Sequence, residues 1–404
     1  MNGKKGEIGV NRTVKIVIVF LLIFPYIVSG QVSVAATSPP VGSDELEDAM
    51  LQEISLEGVQ EYWSELVDEY NGYLPGIEKK SVYDLIKNQE SFSIKDSVIG
   101  FLEFLFYELI LNGKLLGMLL MLTLFSIILQ TMHTAFEKSA VSKIAYFVVY
   151  IVLIFIALNS FYLAFSYAKE AIDTMSSFMI ALLPLVLGLM ATFGNLLTVS
   201  FFHPIIIFLI NLSGLLTSHF IMPLLFLSAL LLIVSSLSDG YKVTHLAKLL
   251  RNIGIGTLGV FFTIFLGVLS VQGAASAIQD GVAMKTAKFL TGNFIPVVGR
   301  TFTDAADTIL SASLLLKNAV GIVGLAIVLF ITLFPAIKIF AIALIYKIAA
   351  AILQPIGDGP VISSLNTISN YIVYILACLL AVSFMFLLAI VLLVAASNIT
   401  LLLR

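Results

Sequence analysis

Apolar residues in this chain come in long runs rather than alternating patterns, and the runs set the expected elements. Residues 111–130 and 144–168 are each long enough to cross about 30 Å of hydrocarbon as a helix. Tyr146, Tyr150, Tyr162 and Tyr167 suit the interfacial belts of the second run. The stretch 178–237 is almost free of charge but is interrupted by Pro184, Gly188, Gly194, Asn195, Pro204, Gly214 and Pro223. It reads either as three tight spans or as a re-entrant segment over 178–200 followed by one long, proline-kinked crossing. A span at 253–271 comes next, then an amphipathic stretch, 273–317, read as interfacial or re-entrant helices. A run at 319–353 interrupted by Pro335, a turn at 354–360 and a last span at 371–396 bring the total to about six crossings, with eight as the alternative. The pattern predicts an all-α polytopic membrane protein.

Ahead of these runs, Lys4, Lys5, Arg12 and Lys15 precede an apolar core at 16–28, and Val34 and Ala36 supply small residues for a cleavage site. Residues 1–36 thus read as a secretory signal. An uncleaved anchor is the competing reading, weakened by the short core and by Pro25. In both cases the chain from Thr37 onward is delivered to the extracytoplasmic side as a head, 37–110. In that head Val59, Trp63, Leu66 and Tyr70 share one helix face, with Glu57, Glu61, Glu65 and Asp68 opposite. Asn71-Gly72 and Pro75-Gly76 stop this helix. Ser81 with Asp84, and Ser93 with Asp96, fit capping boxes that start two more. The face bearing Tyr62, Trp63, Leu66 and Tyr70 is the candidate docking surface for a partner domain. The competing reading is that it packs the head itself or rests on the bilayer.

Charge sharpens the division. Residues 37–100 hold 14 of the 25 acids against four lysines, whereas 101–404 hold ten acids and 14 basic residues. With a mean hydropathy of +1.05 and 12% charged residues, against about 25% in soluble proteins, the body is one that water cannot solvate. Lys138 and Lys143, and then Lys242, His245, Lys248 and Arg251 at three-residue spacing, fall on the cytoplasmic side of the six-span count, as the positive-inside rule prefers. The bilayer is the expected partner; no basic, aromatic-interleaved stretch argues for nucleic acid. The lone Cys378 excludes a disulfide framework or a cysteine zinc site. His133, His203, His219 and His245 lack metal-ligand spacing, and no HExxH, Walker or GxSxG motif occurs. Neither catalysis nor a cofactor is expected. Lys338 and Lys347 are the ionisable residues inside apolar runs, either functional or snorkelling to an interface.

The two interrupted regions resemble each other. Pro184 and Pro296 are offset by 112 residues, and so are Pro223 and Pro335; each half then reaches an Asp-Gly turn, Asp239-Gly240 and Asp358-Gly359. This divides the body into a first hairpin, 111–168, and two membrane repeats, 169–272 and 273–404, in parallel orientation. Repeats carrying broken helices are a common plan among transporters; coincidence among proline-containing apolar segments is the alternative. Pro184, Pro223, Pro296, Pro335, Asp239, Asp358, Lys338 and Lys347 are the candidate broken-helix or pore positions.

The signal, the head strings Glu61-Tyr62-Trp63 and Tyr73-Leu74-Pro75-Gly76, and the body strings Leu237-Ser238-Asp239-Gly240 and Gln354-Pro355-Ile356-Gly357-Asp358-Gly359-Pro360 together resemble the stage III sporulation protein AE family. The resemblance implies a non-enzymatic membrane subunit of the stage III sporulation A channel, in the mother-cell membrane around the forespore. Its implied partners are the other proteins of that operon and, indirectly, the forespore stage II sporulation protein Q. It implies a head in the intermembrane space and secretion-like support of late forespore gene expression. The family brings no established site residues. The rival expectation is a stand-alone secondary transporter for a small solute.

Overall fold

The structure, a computed structural model, describes residues 56–404 except 71, 74–80, 89–93, 136–139, 193–195, 238–242, 295–297, 358 and 403–404. The signal segment, the first part of the head, Pro296, Asp239 and Asp358 therefore lie outside the described residues. Among the described residues, three helices belong to the head and its descent to the body: α1 (Glu57–Glu69), α2 (Val82–Asn88) and α3 (Ile94–Leu111). The body holds α4 (Gly113–Ala135), α5 (Ala140–Thr192), α6 (Leu196–Leu216), a π turn (Thr217–Ile221), α7 (Met222–Leu237), α8 (Thr244–Phe294), α9 (Val298–Leu353) and α10 (Pro360–Leu402). No strand occurs among the described residues. Among the described residues, six stretches are long and apolar enough to cross a membrane: Gly113–Met132, Ile144–Ala191, His203–Ser235, Thr244–Gly273, Leu316–Ile356 and Pro360–Ala395. Six crossings, rather than eight, is the count that fits.

Local chemistry explains the boundaries. Ser81 and Asp84 form the reciprocal cap of α2: the Asp84 N–H donates to Ser81 Oγ at 3.2 Å, and the Ser81 N–H to Asp84 Oδ2 at 3.1 Å. Beyond α1, Gly72 adopts φ +93°, a left-handed conformation that glycine takes without penalty. The centre of the body is the α9–α10 pair, with α5 against both. On one side α8 joins α10 to α6 and α7, and on the other α4 covers α5 and α9.

Two expectations change. Residues 178–200 form no re-entrant loop: α5 runs on through Pro184 to Thr192, and the polypeptide returns as α6. Pro184 is exposed, so its ring clears the packed faces. The described residues of 273–317 are likewise not separate short helices but the far ends of two long ones, α8 up to Phe294 and α9 from Val298. In both cases the helices are far longer than one membrane thickness, and that extra length places these stretches.

Candidate functional site

The aromatic face of α1 is turned onto the body. Tyr70 stacks flat on Phe334 of α9, ring centroids 3.8 Å apart and planes 4° from parallel. Phe104 of α3 meets both rings edge-on, at 5.8 Å from Tyr70 and 5.1 Å from Phe334. Trp63 lies 6.4 Å from Phe330 of α9, and Tyr62 meets Phe178 of α5 edge-on at 5.5 Å. Gly58 permits the close seat, since a Cβ there would stand 3.7 Å from that of Ala181. Trp63, Leu66 and Tyr70 are buried and Tyr62 half-buried. The surface that the sequence offers to a partner is thus occupied by the protein itself, because seven aromatic rings gather there away from water. What α1 shows to solvent is Glu57, Glu61, Glu65 and Asp68.

Lys338 closes the edge of this contact. Its ammonium lies 3.3 Å from Glu69 Oε1 and donates to the Tyr70 hydroxyl at 3.4 Å. The same group stands over the rings of Tyr70 and Tyr167, at 5.1 and 5.4 Å from their centroids. Burial, and then Glu69, push the Tyr70 hydroxyl far above its ordinary pKa. Pro335 lies between Phe334 and Lys338, and without an N–H it frees the carbonyl four residues back. The head therefore grips α9 on both sides of its proline: Phe330 and Phe334 before it, Lys338 after it. Lys338→Met should weaken this contact by roughly 1–2 kcal/mol, since a partly exposed ion pair is worth little and the cation–π pairs supply most of it. Thermal unfolding in detergent measures the loss, and a midpoint equal to wild type would show the clamp to be idle.

Glu108 on α3 is buried, and that burial holds its carboxyl above the usual range despite the nearby Lys338 and a 3.2 Å hydrogen bond from Asn112 Nδ2. A carboxyl raised on folding is penalised once ionised, so stability falls as pH rises from the unfolded pKa through the folded one and stays low above it. Glu108→Gln removes the penalty. It should raise the neutral-pH unfolding midpoint and flatten its dependence on pH between acid and neutral. A lower midpoint at neutral pH would mean that attraction to Lys338 outweighs burial.

The other predicted positions are dispersed. Lys347 is exposed and donates to Asn366 Oδ1 at 2.6 Å. Pro335 is half-buried inside an unbroken α9, whereas Pro184 and Pro223 are exposed on other helices, so neither of those two rings lines the interior. Pro223 follows the π turn, whose widened winding bonds the Met222 N–H to the Thr217 carbonyl ahead of a residue with no N–H to give. Asn211 donates to Ile207 O of its own helix and Asn159 is exposed, so the intramembrane asparagines at these positions do not bridge helices. The bridges come instead from hydroxyls. Tyr150 donates to Ser364 at 2.7 Å (α5 to α10), and Tyr346 to Ser160 at 2.9 Å (α9 to α5). Ser228 of α7 pairs with Tyr371 of α10 at 2.6 Å, and Thr332 of α9 with Ser383 of α10 at 2.8 Å. With no water in hydrocarbon, such pairs each contribute about 0.6 kcal/mol.

The sequence reading missed Lys317. It is wholly buried between α9 and α10, and its ammonium donates to Val394 O at 3.1 Å. Its register with buried Val320, Gly324 and Ile327 was the available signal, hidden because the residue ends a polar-looking stretch. Among the described residues no cluster of His, Cys, Asp or Glu could hold a metal. A cavity between α5, α6 and α10, lined by Met179, Leu183, Ile206 and Ile390, has a volume of about 10 Å³, the room of one water molecule and not of a substrate.

The sequence itself has counterparts among known proteins. Residues 77–397 match the family described as Stage III sporulation protein AE. The chain is 52% identical over 362 residues to the Stage III sporulation protein AE of Bacillus subtilis (strain 168), covering 90% of this chain and 91% of that one. No solved structure matches. Neither description names a reaction. A match over most of the chain, at this level of identity, places it in the stage III sporulation protein AE family.

Proposed function

We propose that the protein is a non-enzymatic membrane subunit of the channel or secretion-like complex that joins mother cell and forespore during endospore development. The family match over 77–397 carries this reading, and six membrane-competent helices are consistent with it. In this proposal the head faces the intermembrane space, and the protein supports late forespore gene expression. Its partners are the other stage III sporulation A operon proteins and, through them, the forespore stage II sporulation protein Q. Because the aromatic face of α1 is spent on α9, the surface left for those partners is the row Glu57, Glu61, Glu65 and Asp68. Changing all four to serine leaves the packed face intact. It should abolish both co-purification with the operon's other proteins and spore formation, while membrane insertion persists. Normal sporulation of that variant would sink the docking role. A stand-alone transporter, the reading that the buried Lys317 favours, predicts instead that purified protein in liposomes moves a solute unaided.

A further inference from the structure

Contacts across the bundle fix which residues stand at the same height. Thr332 of α9 touches Met175 of α5 and Ser383 of α10. Phe384 of α10 stacks on Phe262 of α8, centroids 5.9 Å apart. Gly214 of α6 lies against Ser176 and Ile172 of α5. Asp173, Leu215 and Ile264 are therefore at about one level. There the α5 flank is aqueous in character: Glu170 and Asp173 are exposed, beside the acids of α1. The opposite flank at that level is apolar, with Leu215 61%, Val260 62% and Ile264 53% exposed. A membrane plane perpendicular to the helices cannot serve both flanks.

The charge-free stretches show where hydrocarbon lies on each side. On α5 it is 144–168, with Ile144, Val148, Phe155 and Tyr162 exposed. On α8 it is 253–279, with Ile253, Val260, Val271 and Ile278 exposed. At 1.5 Å per residue the two are about 37 and 40 Å long, and their midpoints are offset by roughly 34 Å along the bundle. Both exceed the ~30 Å of hydrocarbon by a similar factor, which a tilt of about 40° supplies. Because α5 packs directly on α10 and α10 on α8, at about 9 Å between neighbouring axes the axes of α5 and α8 are at most ~18 Å apart, so the offset demands a tilt at least as steep.

We propose that the bundle lies obliquely in the bilayer, at about 40° or more to the normal, with lipid covering the α4–α5 flank at one end and the α6–α8 flank at the other. Transmembrane helices average about 20°. Lipid is the occupant of the α8 face because its charge-free run matches that of α5 in length and ends at exposed His245 and Lys248 with Arg251, as a headgroup boundary requires. A protein cover on one flank has no reason to reproduce that length. The competing occupant is a partner helix seated on Gly256, Gly259 and Gly267, all of which face open space.

The test uses the full chain in lipid nanodiscs, with Cys378→Ser as background and single nitroxide labels at Ile264→Cys and Asp173→Cys. Ile264 should be reached by oxygen and shielded from a water-soluble nickel chelate, and Asp173 the reverse, although the two share one level. Val260→Cys and Glu170→Cys serve if either first variant fails to fold. Both labels falling in the same class would restore an upright bundle. Shielding of the α8 label from both reagents would mean a protein cover. Either result overturns the proposal.

Discussion

Replacing Tyr70 with alanine is expected to detach the head and to move the fluorescence of Trp63, the single tryptophan, to longer wavelength. Tyr70 is buried at 6% exposure, stacked on Phe334 and edge-on to Phe104. Truncating a buried aromatic costs about 3–5 kcal/mol. The loss does not stop at one ring, because Lys338 then loses the Tyr70 ring and hydroxyl and keeps only Glu69 and the Tyr167 ring. The remaining anchors, Tyr62 against Phe178 and Trp63 against Phe330, are an edge contact and a tilted pair rather than stacks. Trp63 reports on their release because it is 1% exposed when docked. Tyr70→Phe keeps the stack and surrenders only the long hydrogen bond to Lys338, so its emission should match wild type. An unshifted spectrum for Tyr70→Ala, with an unchanged protease pattern in the head, would mean that the head is held by something else.

A comparable effect is expected from Gly321→Val, at the crossing of α9 and α10. A Cβ at Gly321 would fall 2.6 Å from Val394 Cγ2, and a β-branched valine in a helix has almost no other rotamer to take. The helices must move apart, and they are the central pair of the body. Even Gly321→Ala should cost about 1–3 kcal/mol by overpacking, and valine more. Separation also stretches the Lys317 bond to Val394 O, one turn away, leaving a buried ammonium short of a partner. Adding Val394→Ala to Gly321→Ala should recover most of the loss, since neighbours that share a clash are not additive. Gly324 is the control. Its Cβ also comes within 2.6 Å of an atom, but that atom is the far end of Leu182, which can swing away. Gly324→Ala should therefore lower the unfolding midpoint in detergent much less than Gly321→Ala. Equal losses at the two sites would show that rotamer stiffness does not decide the outcome.

How legible the molecule was in its sequence depended on the range of the interaction. Helix class and number of spans follow from runs of apolar residues, which bilayer thickness converts directly to crossings. The cap of α2 and the end of α1 were likewise readable, because Ser81 with Asp84 and Gly72 act on their own backbone. The 3-4 spacing of Val59, Trp63, Leu66 and Tyr70 identified a buried face, but the pattern says nothing of what buries it; the answer lies on Phe330, Phe334 and Phe178, far along the chain. The prolines misled about breaks, since Pro184 sits inside an unbroken α5 with its ring facing out, and periodicity alone does not distinguish that from a re-entrant turn. The hydroxyl pairs were invisible for a different reason. Serine and tyrosine are common at interfaces and in loops, and only the packed bundle shows that Tyr346 reaches Ser160, 186 residues away.

The docking of the head also has a temporal side. Glu69 and Lys338 are 269 residues apart in sequence, so the platform is made long after the face that needs it. At about 5–20 residues per second, roughly 13–54 s separate the two during synthesis. Through that interval Trp63 and Tyr70 have no Phe330 or Phe334 to leave water against. The head remains an incomplete element and becomes stable only when α9 arrives, so its folding is the last act of membrane insertion rather than the first.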